Sequence, residues 1–260
     1  MSAVQLKTAA ELALQREAGR LLTQVFGMLD KNIAAGMSTL QINDLAERYI
    51  VDELQARPAS KGQYGFAYVL NTSINDVVCH GVPSATQVLK DGDIVNVDIT
   101  LEKHGFIADS SKMYGIGELS FLARQLIDDC YSALWLGIKA VKPGARLGDI
   151  GFAIEQFARS KGYSVVREYC GHGIGREMHE EPQVLHYGAA GTGMLLKPGM
   201  VFTIEPMLNQ GSAKVKTKKD GWTVVTRDKK LSAQWEHTIA VTENGVEVLT
   251  LRPEEQALLC

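Results

Sequence analysis

Four acids and one histidine stand out as the residues through which this chain can do chemistry. Asp98 (in DIVNVDITL) and Asp109 (in FIADSSKMY) lie in two short runs of strand composition either side of the turn-like EKHG. Glu205 (in MVFTIEP) and Glu236 (in AQWEHTIAV) lie in two later runs of the same kind. All four have apolar residues close by in their runs, and a carboxylate in an apolar strand is costly unless it is paired or binds a cation. With Lys103-His104 as a hairpin loop, Asp98 is expected directly opposite Asp109, the Cβ atoms roughly 5 Å apart. A bulge at Gly105, slipping the register by one, is the alternative. Like charges so close destabilise one another, so something positive is expected between them. His172 lies in GHGIGREMHEEP, where Gly171, Gly173 and Gly175 let the backbone turn closely around it, and is the expected imidazole ligand. His179 follows seven residues later, too far for a single helical ligand pair, and is expected to act separately. His80, in VVCHGVP, is a candidate for substrate contact, whereas His104, His186 and His237 read as structural or solvated.

Two divalent cations would neutralise four carboxylates beside a neutral imidazole, which favours a dinuclear centre. Oxygen-rich ligation with a single nitrogen suits Mn²⁺, Fe²⁺, Co²⁺ or Zn²⁺ and argues against a thiolate-bound structural zinc. Two such ions about 3.5–4 Å apart hold a bridging hydroxide at neutral pH and polarise a carbonyl, which is the chemistry of hydrolysis.

The elements that must position these groups follow from hydrophobic period. AELALQREAGRLLTQVFGML (10–29) has helical spacing, and a second helix begins at Ser38, which forms a capping-box pattern with Gln41. After the glycine-containing SKGQYGFAY come the two strand runs of the expected hairpin. Helical period returns over ELSFLARQLIDDCYSALWLGIKAV and LGDIGFAIEQFARSKG, with Gly162 as the C-terminal cap. MVFTIEP, GWTVVTR, AQWEHTIAVTE and GVEVLTLR read as strands, the last two joined by a hairpin at Asn244-Gly245. This order of helices then strands occurs twice, and the sequence carries traces of a duplication. Lys90–Asp98 and Lys197–Glu205 share the frame K-x-G-x-(Ile/Val)-x-x-(Ile/Val)-acid at an offset of 107, and AAGMSTLQI echoes KPGARLGDI at an offset of 108. The expectation is one catalytic domain over 1–260 with two pseudo-symmetric halves, about 1–115 and 116–260, each delivering acids to a shared centre.

Composition narrows the partners. The chain has 260 residues, 45% hydrophobic and 22% charged, with 27 Lys plus Arg against 30 Asp plus Glu, a formal net charge of −3. That is an ordinary globular composition without the basic field that captures nucleic acid. No stretch is apolar for long enough to span a bilayer and the N-terminus lacks a secretory pattern, so no membrane partner and a cytoplasmic location are expected. The four cysteines (Cys79, Cys130, Cys170, Cys260) are scattered and expected to be reduced thiols.

NTSINDVVCHGVP, DGDIVNVDIT, the Asp109 strand, GHGIGREMHEEP, FTIEP and AQWEHTIAVTENG, in this order over essentially the whole chain, resemble the type I methionine aminopeptidases. The resemblance implies an α+β pita-bread fold, an antiparallel sheet flanked by helices with internal pseudo-twofold symmetry. It implies removal of the initiator methionine from nascent polypeptides when the second residue is small, by a monomer acting on ribosome-associated substrates. Residue by residue it implies Asp98, Asp109, His172, Glu205 and Glu236 as ligands of two divalent metals. It adds for Glu205 a part in moving the proton of the bridging water, for His179 a part in steadying the tetrahedral intermediate, and for His80 contact near the scissile amide. Trp222 in DGWT matches a wall of the methionine pocket. At Ser60, Gln63, Phe66, Asn71 and Met178 bacterial members more typically carry tyrosines, cysteines and a phenylalanine. Gln63 and Asn71 make this wall more polar, while Met178 keeps a polarisable apolar contact suited to a thioether.

Two other readings compete. A proline-directed aminopeptidase or dipeptidase of the same fold usually adds a substantial N-terminal domain, whereas only about 60 residues precede the core here. A catalytically inactive relative acting as an interaction module generally lacks metal ligands, and all five are present.

Overall fold

A computed structural model describes residues 4–259. Four helices carry apolar stripes: α1 (Ala9–Leu29), α2 (Thr39–Arg48), α3 (Phe121–Lys139) and α4 (Leu147–Ser160). Helix α1 buries Ala18, Leu22, Val25, Phe26 and Leu29, the one-sided spacing of a helix against a core. Thr8 caps it and Glu11 answers in a reciprocal capping box, and the box of Ser38 and Gln41 starts α2 as expected. Ser120 caps α3, so that helix begins at Phe121 rather than Glu118, and α4 ends before Gly162 at φ 81°.

The strands, in chain order, are β1 (Arg57–Pro58), β2 (Leu70–Ile74), β3 (Val77–Cys79), β4 (Ile94–Lys103), β5 (Phe106–Gly115), β6 (Ser164–Val165), β7 (Gly171–Gly173) and β8 (Glu180–Val184). There follow β9 (Val201–Ile204), β10 (Met207–Asn209), β11 (Val215–Thr217), β12 (Val224–Thr226), β13 (Ser232–Gln234), β14 (Glu236–Val241) and β15 (Val246–Val248). One nine-stranded sheet runs β1-β4-β5-β14-β9-β7-β8, with β2 also on β4 and β15 on β14. Two three-stranded sheets, β13-β10-β6 and β11-β12-β3, complete an antiparallel framework. The run AQWEHTIAVTE is therefore two strands, β13 and β14, which part at Trp235 into different sheets.

The β4–β5 hairpin corrects one expectation. Asp98 lies opposite Ser111 and Asp109 opposite Thr100, a shift of two residues from direct opposition. The cause is the turn: His104 (φ 55°) and Gly105 (φ 79°) both take the left-handed conformations that a two-residue primed turn demands, so they, not Lys103-His104, form the loop. A shift of two keeps both acids on one face. The β14–β15 hairpin closes through residues 242–245 with Thr242 N–H donating to Gly245 O, a longer loop than a two-residue Asn244-Gly245 turn.

The duplication is visible in three dimensions. Ser38 bridges Val88 just before α2, and Arg146 bridges Leu195 just before α4. Gly92 and Gly199, both at φ 88°, turn the chain into β4 and β9. One apolar core packs α1 and α2 on β2 and β4, and a second packs α3 and α4 on β9 and β14. The two halves join where β5 meets β14, with Ser111 opposite Glu236 and Ser110 opposite His237. Cys79, Cys130 and Cys170 are unbridged; Cys260 lies outside the described residues.

Candidate metal centre and active-site cavity

The β5–β14 seam sets the acids. Asp109 on β5 and Glu236 at the start of β14 come from opposite halves and are both buried. With His172 on β7 they form a group whose ligand atoms lie within 4.8 Å of one another. His172 Nε2 is 3.9 Å from Asp109 Oδ2 and 3.6 Å from Glu205 Oε1, Glu205 standing just beyond the end of β9. Asp98 joins from β4, on the same face as Asp109 and two residues off direct opposition. The structure thus brings together all five residues expected at the centre.

Their electrostatics register the crowding. Burial pushes the Asp98 carboxyl up to about 6, partly offset by hydrogen bonding with Asp109 and Asn71. Burial, then the charge of Asp98, raises Glu205 to about 8 despite the Thr203 hydroxyl. Asp109 is driven well above the carboxylate range by burial and then by Asp98 and Glu205; Glu236 by burial and then by Asp109, Glu205 and Asp98. Burial, with His179 nearby, lowers His172 to about 4, so at neutral pH its imidazole is uncharged and free to ligate. Asp109 Oδ1 is buried without a hydrogen-bond partner. An unpaired carboxylate oxygen among three further raised acids and a neutral imidazole is the donor set a divalent cation fits.

These groups form the floor of a cavity of about 540 Å³ whose walls include every expected substrate-contact residue. His80, following β3 with φ 54°, lies edge-on to Tyr169 at 5.3 Å. His179 is exposed in the wall, its ring 4.4 Å from that of His172 and stacked with Tyr64 at 6.1 Å. Trp222 packs against buried Phe66 at 5.0 Å, and Met178, also buried, lines the same cavity. Gln63 stands on a 3₁₀ turn, Asn71 pairs opposite Asp98, and the Ser60 hydroxyl lies 2.5 Å from that of Thr100. His186 and His237 are buried and hydrogen-bonded, and His104 sits in a turn, in keeping with structural roles.

Sequence reasoning missed the residues that hold Glu205. The Thr203 hydroxyl donates to Glu205 Oε1 at 2.9 Å and accepts the His172 N–H at 3.0 Å. Gln234 Nε2 reaches Glu205 Oε2 at 3.3 Å, and the Glu205 N–H donates to His186 Nε2. Thr203 had a signal, since residues two apart on a strand share a face. Gln234 had none, lying on a different strand and sheet.

The sheet, the paired cores and the acid-lined seam define a metallopeptidase: residues 13–243 match metallopeptidase family M24, and the chain belongs to that family. It is 51% identical to the methionine aminopeptidase of Salmonella typhimurium strain LT2, over 97% of this chain and 96% of that one. The crystal structure of methionine aminopeptidase from Rickettsia prowazekii superposes with a TM-score of 0.94 at 45% identity, covering 96% of this chain and all (100%) of that one. The prolidase of Pyrococcus horikoshii shares the fold at a TM-score of 0.75 and 21% identity; this chain covers 63% of its length.

Proposed function

We propose that this protein cleaves the N-terminal methionine from nascent polypeptides whose second residue is small, with Asp98, Asp109, His172, Glu205 and Glu236 holding two divalent cations. The observation that carries the reading is the convergence of these five groups, from both halves, on the floor of one cavity walled by Trp222, Phe66 and Met178. When bound, the cations supply Lewis acidity toward the scissile carbonyl and a nucleophilic water at neutral pH. Glu205, steadied by Thr203 and Gln234, takes the proton of the attacking water and returns it toward the leaving amine. His179, which reaches the cavity from the β7–β8 turn, donates to the oxygen that gains charge in the transition state. His80, on the wall beside Tyr169, faces the scissile amide. Trp222, Phe66 and Met178 enclose the methionine side chain, and Ser60, Gln63 and Asn71 give the pocket a more polar edge. Mn²⁺, Fe²⁺, Co²⁺ and Zn²⁺ all suit this donor set. The substrates are chains emerging from the ribosome in the cytoplasm, met by a monomer organised as a single catalytic domain; no helix among the described residues is long and apolar enough to cross a membrane.

The test is hydrolysis of Met-Ala-Ser against Xaa-Pro peptides by chelated and reconstituted protein. Release of methionine, restored by at least one of the four cations, is expected. Inactivity with all four overturns the reading, and cleavage confined to Xaa-Pro transfers the protein to the proline-directed enzymes.

A further inference from the structure

Met178 and His179 enter the cavity from one turn, residues 174–179, but they are held differently. Met178 is buried and clusters with Ile107, Ile174 and Val201. His179 is exposed, with the rings of His172 and Tyr64 beside it, and among the described residues its ring makes no hydrogen bond. The placement of that ring therefore depends on its own backbone.

The next residue, Glu180, ties that backbone down. Glu180 Oε1 accepts the N–H groups of Arg176 at 3.0 Å and Glu177 at 3.3 Å, and Oε2 accepts the Lys7 ammonium at 2.5 Å. This ion pair is nearly dry, with the side chains 4% and 14% exposed. Lys7 is anchored by its N–H donating to Gly199 O at 2.7 Å, in the turn that leads into the strand before Glu205. Gly175 leaves room for the pair: a Cβ there would lie 2.4 Å from Lys7 Nζ and 2.6 Å from Glu180 Oε1. A buried ion pair contributes little net stability relative to apolar residues, but it fixes geometry and is costly to break on one side.

We infer that Lys7 is a positioning residue for His179, acting through Glu180 to clamp the turn from beneath, so that the N-terminal segment is part of the catalytic machinery although it touches no substrate. The inference rests on the part given to His179 above. It predicts an effect on kcat, because Met178 keeps its place through core packing while the His179 donor drifts.

The experiment compares wild type, Lys7→Met, Lys7→Arg, His179→Ala and Lys7→Met/His179→Ala on Met-Ala-Ser with Mn²⁺ supplied. Lys7→Met is expected to lower kcat roughly 10- to 100-fold, as a misplaced transition-state donor does, with KM within about twofold. Lys7→Arg recovers most of the loss, and the double variant is no slower than His179→Ala. Hydrogen exchange quickens at the Arg176 and Glu177 amides and not in β4 or β5. Losses that multiply in the double variant, or an unchanged kcat in Lys7→Met, overturn the inference. Full activity in His179→Ala overturns instead the part given to His179. Should Lys7→Met fail to fold, Glu180→Gln, which keeps the shape and removes the charge, takes its place in the same cycle.

Discussion

Asp109, Glu205 and Glu236 are buried and Asp98 is half-buried, and the charge of Asp98 raises the affinity of the other three for protons. Stripped of cations, the folded protein must either hold protons on these carboxyls or bear their repulsion; removing one carboxyl relieves the others. Asp98→Ala is therefore expected to abolish turnover of Met-Ala-Ser. In chelated protein at about pH 7.5 it should also raise the melting temperature by about 2–4 °C, the effect of roughly 1 kcal/mol in a chain of this size. Wild-type activity contradicts its place among the ligands, and a lower melting temperature in chelator contradicts the crowding. The acids were legible in the sequence because a charge among Val, Ile and Phe is an anomaly that calls for a partner. Lys7 and Gln234 were not legible: a lysine near a terminus and a glutamine in a strand are unremarkable until the fold sets them beside Glu180 and Glu205.

At the scale of elements, what a strand pattern determines and what it leaves open can be separated. Side-chain parity along β4 and β5 depends only on the period of two, so placing Asp98 and Asp109 on one face survived the error in register. The register depended on which pair of residues takes positive φ, a question settled by His104 and Gly105 in the turn. The β5–β14 seam had no such local signal, because its lock is a C-terminal arginine. Arg252, 1% exposed, donates to Ser110 Oγ at 2.9 Å and Ser111 O at 2.7 Å, while Ser110 Oγ donates to Glu236 O at 2.6 Å. Its other amino group meets Glu255 Oε1 at 2.9 Å, and that carboxylate also meets His237 Nε2 at 3.2 Å. Truncation strands Glu255 in the interior, and breaking such a pair costs about 3–5 kcal/mol. Arg252→Ala should lower the denaturation midpoint by that amount with an unchanged denaturant slope. It should also weaken Mn²⁺ binding, since Asp109 and Glu236 flank the joint. Wild-type stability would show that the seam is held by the strands alone.

At the scale of the whole molecule, the two halves pair strands at β3–β12 and at β5–β14, and the raised acids Asp109 and Glu236 flank the second of these seams. A cation bound there joins the halves and replaces protons, so pH and metal must act in opposition. Glu205 moves from its usual 4.5 to about 8 on folding. Across that window the native state holds more protons than the unfolded one, so the contribution is complete below 4.5 and is lost as pH rises through 8. Asp109 and Glu236, also raised, act in the same direction. His172 and His186, lowered from 6.5 to about 4 and about 3, act in the opposite direction, but only below 6.5. The interval between about pH 6.5 and 8.5 therefore isolates the acids. Calorimetry of chelated protein should show the melting temperature falling across it. Saturating Mn²⁺ should give an increment that grows with pH, because deprotonated carboxylates bind the cation more tightly and ligand at about 100 Kd adds about 2.7 kcal/mol. A chelated protein whose melting temperature is flat or rising from pH 6.5 to 8.5 would mean that the four carboxyls do not share one site, and the two halves would then need no cation to hold the seam.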